Sequence, residues 1–201
     1  MLRAGVLRRA LFVSTVVVFP LLAAAPEIRN VVLNPVSGVA LGEHRDWIYL
    51  RSTKISEWTK LIPGTCPQWF PDGKRFIFFL PTGYSINSQL WSANGDGEGR
   101  YILTQSEYLI RETPVITDDA KEIAFHYSTC VASGSFEDVV VIDLRKMQYP
   151  SYTCEAKVVY RAKAYTKIQS LRWVGKDRLT ALVNGTLLEI DTHGKGMEPV
   201  P

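Results

Sequence analysis

The chain has 201 residues, 46% of them apolar, with 23 basic against 20 acidic side chains and three cysteines. The apolar share suits a folded domain and excludes a disordered chain. The whole formal excess of positive charge lies in the first 25 residues, in Arg3, Arg8 and Arg9, so the remainder is formally neutral and lacks the basic stripe of a nucleic-acid-binding protein.

The chain opens "MLRAGVLRRALFVSTVVVFPLLAAA", three arginines ahead of an apolar stretch from Ala10 to Ala25 that ends in small residues. This is the pattern of a secretory signal peptide over 1–25, with a domain over 26–201. The apolar run is shorter than the roughly 20 residues of a spanning helix, and Pro20 interrupts it, so the expectation is export without a stable membrane span. Pro26 is a poor first mature residue, which places cleavage after Ala24 or leaves the leader attached. The expected location is periplasmic or secreted.

Beyond the leader, the sequence repeats. A degenerate first copy gives "DWIYLRS" at 46–52 and "WTKLIPG" at 58–64. The next, "CPQWFPDGKRFIFFLPTGYSINSQLWSANGDGEGRYILTQ" at 66–105, reads as tryptophan, turn, apolar strand, second apolar strand, glycine-rich turn and short third strand. A further copy over 112–161 aligns Pro114, the turn at Asp119-Ala120-Lys121 and the run Glu122 to His126. The last, from Ser170 to Gly194, brings Trp173, the turn Gly175-Lys176-Asp177, and runs at Arg178 to Val183 and Leu187 to Ile190. Asp72-Gly73 and the "NGDGEG" at 94–99 are residues that tolerate positive φ where antiparallel strands reverse. In the strand Phe76 to Leu80 both alternating faces are apolar, so both must be covered. A blade stacked between two others covers both. No helical stripe follows residue 26, and the fold class expected is all-β.

These motifs carry a resemblance. "PQWFPDGKRFIFF" followed by "SQLWSANGDGEGRYILT" resembles the WD40-like (PD40) repeat of the TolB family of periplasmic propellers, closely over 65–104, partly over 112–161 and weakly over 168–194, with Phe70 where the family has Ser. The resemblance implies a β-propeller of about four TolB-like four-stranded blades, as a small or incomplete ring, because TolB has six such blades behind an α/β domain and this chain has no room for them. It implies a non-catalytic interaction module whose partner is a protein or another component of the cell envelope. The alternative is the propeller part of an exported prolyl-oligopeptidase-type hydrolase that lacks its catalytic domain. Open sheet edges invite pairing, so a homodimer is a further expectation.

The candidate binding residues are Phe136, Tyr149 and Tyr152, in the segments "STCVASGSFED" (128–138) and "RKMQYPSYTCEAK" (145–157) that lengthen one copy, because inserted loops on a rigid scaffold are where binding evolves. Cys130 and Cys154 are the cysteines expected to pair in an exported protein, with Cys66 a core thiol. No metal and no cofactor are expected: Asn94, Asp96 and Glu98 alternate as in a calcium loop, but Gln105 stands where the closing carboxylate belongs. No catalytic residues are assigned. His126 falls in an apolar strand and reads as a hydrogen-bonded core histidine, and no G-x-S-x-G elbow accompanies the histidines.

Overall fold

A computed structural model gives the structure of the chain and describes residues 26–82, 87–104, 108–110, 112–131, 134–147, 154–163, 165–193 and 197–199. The expected leader, Tyr149 and Tyr152 lie outside the described residues.

Among the described residues seventeen strands form four antiparallel sheets, a four-blade β-propeller. Blade 1 contains β1 (Arg29–Leu33), β2 (Ala40–His44), β3 (Trp47–Arg51) and β4 (Thr59–Pro63). Blade 2 contains β5 (Thr65–Trp69), β6 (Arg75–Pro81), β7 (Ser88–Asn94) and β8 (Tyr101–Ile102). In blade 3 the first strand is split into β9 (Leu109–Ile110) and β10 (Val115–Ile116), followed by β11 (Glu122–Val131), β12 (Gly134–Asp143) and β13 (Ala156–Lys163). Blade 4 contains β14 (Ile168–Trp173), β15 (Arg178–Val183), β16 (Thr186–Asp191) and β17 (Met197–Pro199). The strands of each blade pair in chain order, so every blade is a simple meander.

The turns are set by local chemistry. In blade 2 Gly73 takes φ +67°, its N–H donates to the Phe70 carbonyl at 2.9 Å, and Asp72 Oδ1 accepts from the Lys74 N–H at 3.0 Å. A side chain at Gly73 would also collide with Asn34 of blade 1, whose Nδ2 donates to the Gly73 carbonyl at 2.7 Å. Gly64, the single residue between β4 and β5, lies at φ +148°, and a Cβ there would come 2.5 Å from the Phe78 ring. Glycine is what allows blade 1 to pass directly into blade 2.

The strand whose two faces are apolar is sandwiched as expected. Phe76 and Phe78 of β6 face blade 1, where with Trp69 they pack on Leu41, Ile48 and Ile62. Ile77 and Phe79 face blade 3, where they meet Ile123, Phe125, Val140 and Ile142. Phe79 meets Phe125 edge-on at 5.4 Å between ring centres, a favoured aromatic geometry. The third interface, between blades 3 and 4, is aliphatic: Ala124, Val139 and Val141 against Ile168, Leu171, Leu179 and Ile190. Three cores thus join four blades in series. Among the described residues no core joins blade 4 back to blade 1.

Two expectations are corrected here. The segment 128–138 is strand rather than loop: β11 and β12 pair without a break from Glu122↔Asp143 to Val131↔Gly134. The Cys130–Cys154 bridge does not form, and Cys154 is a free thiol buried in the core between blades 2 and 3. Cys130 pairs with Ser135 near the hairpin tip, whereas Cys154 lies just before Ala156, which pairs with Ile142 at the hairpin base. Seven residues of strand separate Ser135 from Ile142, roughly 23 Å. A disulfide requires Cα atoms within roughly 7 Å.

Phe79→Ala is expected to destabilise the protein by about 3 to 5 kcal/mol, since it empties the middle of the central core. Leu187→Ala, on the exposed face of blade 4, should stay within about 0.5 kcal/mol. Denaturant melts of the two variants against the parent check this, and equal effects would contradict the assigned packing.

Candidate functional site

The first strands of the blades are edge strands that approach one another, β1 against β5 and β10 against β14, and so mark the axial side of the arc. Each carries the same irregularity. The ladder shifts between Arg29 and Val32 in β1, between Thr65 and Gln68 in β5, and between Gln169 and Arg172 in β14. At each shift one residue adopts a left-handed backbone: Asn30 at φ +48°, Cys66 at +51° and Ser170 at +56°. These are β-bulges, which turn a strand and re-aim its amide. In blade 3 the same place is where the first strand splits into β9 and β10.

The amides and side chains so re-aimed bond across blades. Glu43 on β2 accepts from Asn30 Nδ2 at 2.6 Å with one carboxylate oxygen, and from the Cys66 N–H of blade 2 with the other. The Thr113 side chain of blade 3 stands beside the Cys66 thiol. Glu112, beside it, accepts from the Ser170 N–H of blade 4 at 3.2 Å. A polar chain from Asn30 to Ser170 thereby touches every blade along the axis. Burial, and then the Glu43 charge, push the Cys66 thiol up to about 11, so it is protonated at neutral pH and is a poor nucleophile. Cys154 is likewise raised to about 11, by burial first and by Asp143 second.

The second cluster lies in blade 3. Its hairpin strands are ten residues each, against seven for β6 and β7 and six for β15 and β16, roughly 10 Å more paired strand than in blade 2. On the face toward blade 4, His126 Nε2 lies 2.9 Å from Glu137 Oε2, and Ser128 Oγ donates to the same oxygen at 2.7 Å. His126 is buried, as expected, and its Nδ1 has no partner among the described residues. The order is serine, carboxylate, histidine. A nucleophile needs the histidine in the middle, so His126 does not activate Ser128. On the opposite face, the fully buried Asp138 is held by the Arg161 guanidinium through two bonds of 2.8 Å. This bidentate pair fixes β13 to β12.

Of the expected binding residues, only Phe136 is described. It sits in β12 between Thr129 and Lys163, half-buried, with Arg161 stacked over its ring at 5.0 Å. One face of its ring is therefore already occupied. The group Asn94, Asp96 and Glu98 acts within its own turn: Asp96 Oδ1 accepts from the Glu98 N–H at 2.9 Å, and Asn94 N–H donates to the Glu98 carbonyl. Among the described residues no group of three metal-ligating side chains gathers, and no helix is long and apolar enough to cross a membrane. Sequence reasoning did not find Glu43, Glu112 or the Asp138–Arg161 pair. Each joins residues far apart in the chain, and only the repeated blade position could have signalled them.

Comparison with known proteins places the fold. No protein-family model matches the chain, and no curated protein matches it. Solved structures do. A putative TolB from Agrobacterium tumefaciens superposes with a TM-score of 0.63 at 11% identity, covering 88% of this chain and 62% of that one. The β-propeller domain of the Trilobed protease from Pyrococcus furiosus, described as having an open velcro topology, gives 0.55 at 14% identity, covering 81% and 53%. The Kuenenia stuttgartiensis hydrazine synthase gives 0.59 at 19% identity, covering 81% and 52%. The chain spans between about half and two thirds of the length of these structures. At such identities the likeness shows the fold: this is a propeller resembling TolB and the propeller domains of peptidases.

Two outcomes test the site. Glu43→Ala is expected to cost about 1 to 3 kcal/mol, because it strands the Cys66 amide and the Asn30 side chain, whereas Glu43→Gln should recover part of that in the same denaturant melt. For Cys154 the folded thiol, at about 11, lies above its ordinary value of 9.0, so folding favours the protonated form. That stability is complete below about pH 9 and lost as pH rises toward 11. Melts between those values should fall less steeply for Cys154→Ala than for the parent, and parallel curves would contradict the assignment.

Proposed function

We propose that the chain is an exported, periplasmic TolB-like propeller that works as a non-catalytic interaction module for a protein partner in the cell envelope. The observation that carries this reading is the blade-3 hairpin. It is braced midway along its length by the His126–Glu137 and Asp138–Arg161 pairs, and its paired strands are longer than those of the hairpins in blades 2 and 4. A buried carboxylate costs desolvation unless it is well paired, so holding Glu137 and Asp138 by His126, Ser128 and Arg161 within one hairpin is a way of fixing its position rather than of adding stability. A rigid support under a hairpin tip is how propellers and other scaffolds present recognition elements. The arginine-led apolar leader and the likeness to a putative TolB support the periplasmic location.

A second reading is favoured by the several neighbours that come from peptidases, among them the tricorn protease and an acylaminoacyl peptidase from Pyrococcus horikoshii. In that reading the propeller serves a hydrolase domain carried by another chain.

The test is made on the tagged full-length chain. Osmotic shock should release it with the periplasmic fraction, and a photocrosslinker at Ser135, which is exposed, should capture one envelope protein. Shortening β11 and β12 by two residue pairs at the tip should abolish capture while leaving the melting temperature within a few degrees. Retention in the cytoplasm, or capture indifferent to the hairpin, would overturn the proposal. Co-purification of an α/β-hydrolase subunit with peptide turnover would establish the second reading instead.

A further inference from the structure

The outward side of blade 1, away from blade 2, is unlike any interface within the molecule. Cross-strand register sets Leu33, Ala40 and Arg51 side by side on it, with Gly42, Tyr49 and Lys60 in the next row and His44, Trp47 and Pro63 beyond. Arg51 lies over the Trp58 ring at 4.8 Å and Lys60 over the Trp47 ring at 3.4 Å. No carboxylate pairs with either cation among the described residues, and Glu57 is the one acidic residue in the segment 51–60. Val31 and Leu33 are 48% and 65% exposed on the same face. At its lower corner Val36 and Ile55 project from two turns, at 72% and 56% exposure. These turns touch, since a Cβ at Gly38 would lie 3.4 Å from Thr53.

We propose that this corner of blade 1 docks on the surface of an anionic phospholipid bilayer. The proposal rests on the envelope location argued above and adds a second contact of the same module. Three features select this occupant over another blade or a folded partner. The side of blade 1 turned to blade 2 is lined by apolar side chains such as Leu41, Ile48 and Ile62, whereas this outward side sets two cations over its rings. Its exposed apolar groups project from turns and an edge strand and do not line a groove, which suits insertion at a headgroup boundary. Its indoles carry cations on their faces, combining the interfacial aromatic residues and the basic groups that anionic lipid attracts. The chain also enters blade 1 here: Ile28, three residues after the apolar leader, packs over Gly42 beside Trp58.

Hydrogen exchange on the full-length protein tests this, because it reads the corner separately from the leader. Vesicles of equal parts phosphatidylglycerol and phosphatidylcholine should slow exchange at least about threefold in the turns 34–38 and 52–58, while pure phosphatidylcholine should not. Arg51→Glu with Lys60→Glu should remove that protection, and Val36→Ser with Ile55→Ser, on exposed turns, should weaken it without changing the melt. Unchanged exchange in these turns would overturn the proposal, as would equal protection by neutral vesicles. Protection by solubilised envelope protein but not by lipid would assign the face to a protein and equally overturn it. Capture through the blade-3 hairpin is independent of all these outcomes, so failure here and failure of the interaction-module reading are distinguishable.

Discussion

The structure depends on β6 being covered on both faces. A half-exposed sheet would have asked for polar residues at alternate positions, and this strand offers none between Phe76 and Phe79, all fully buried. Once Phe76 and Phe78 commit to blade 1 and Ile77 and Phe79 to blade 3, the order of three blades around the axis is fixed. A slip of one residue would exchange the two faces and present each neighbour with the wrong ring shapes. Blade 4 then joins through buried aliphatic side chains, with Tyr160 and Trp173 packed against them. In a chain of blades joined in series, stability resembles a sum of blades and nearest-neighbour interfaces, so the middle is the stable part and the ends open first.

The axial bulges follow from the same constraint. Apolar packing holds blades together but is non-directional and says little about how far one blade turns relative to the next. Hydrogen bonds from left-handed residues into the preceding blade supply that direction: Glu43 reads the Cys66 amide, and Glu112 reads the Ser170 amide. The strain of a left-handed Cys or Ser, which lack glycine's freedom, is offset by bonds that exist only in that conformation. The raised Cys66 thiol is a by-product of this arrangement. It faces a carboxylate because both are needed to join blades 1 and 2, and the outcome is an unreactive thiol at the axis.

How much of this was legible depended on range. The strand Arg75 to Phe79, the Asp72-Gly73 turn and the buried His126 could be read because each is specified within a few residues. The 128–138 segment was misread as a loop because its Ser and Gly residues resemble a loop locally, whereas its pairing is set by the long register with β11. Its acidic Glu137 and Asp138 look solvent-facing in sequence and are buried only because His126 and Arg161 arrive from strands 11 and 23 residues away. The cysteine pairing failed for a similar reason. Sequence shows two thiols in a chain that reads as exported, but not that they lie beside opposite ends of one hairpin. Glu43 joins Asn30 to Cys66 across a blade boundary, and nothing in its local pattern separates it from any other surface glutamate.

The outer faces of the end blades show what the cores are not. Blade 4 presents Arg178 and Glu189 as a surface ion pair, with Arg172, Thr180 and Asp191 on the same side by register, a face built for water. Blade 1 presents aromatic rings under cations with no matching carboxylates, together with exposed valine, leucine and isoleucine. Two such cationic faces would repel each other, so self-association of blade 1 on blade 1 is disfavoured. The two ends of the arc therefore differ in chemistry as well as position. An asymmetry of that kind, on a scaffold whose blades are otherwise repeats of one pattern, gives the molecule a single charged and apolar end, opposite in character to its solvated one.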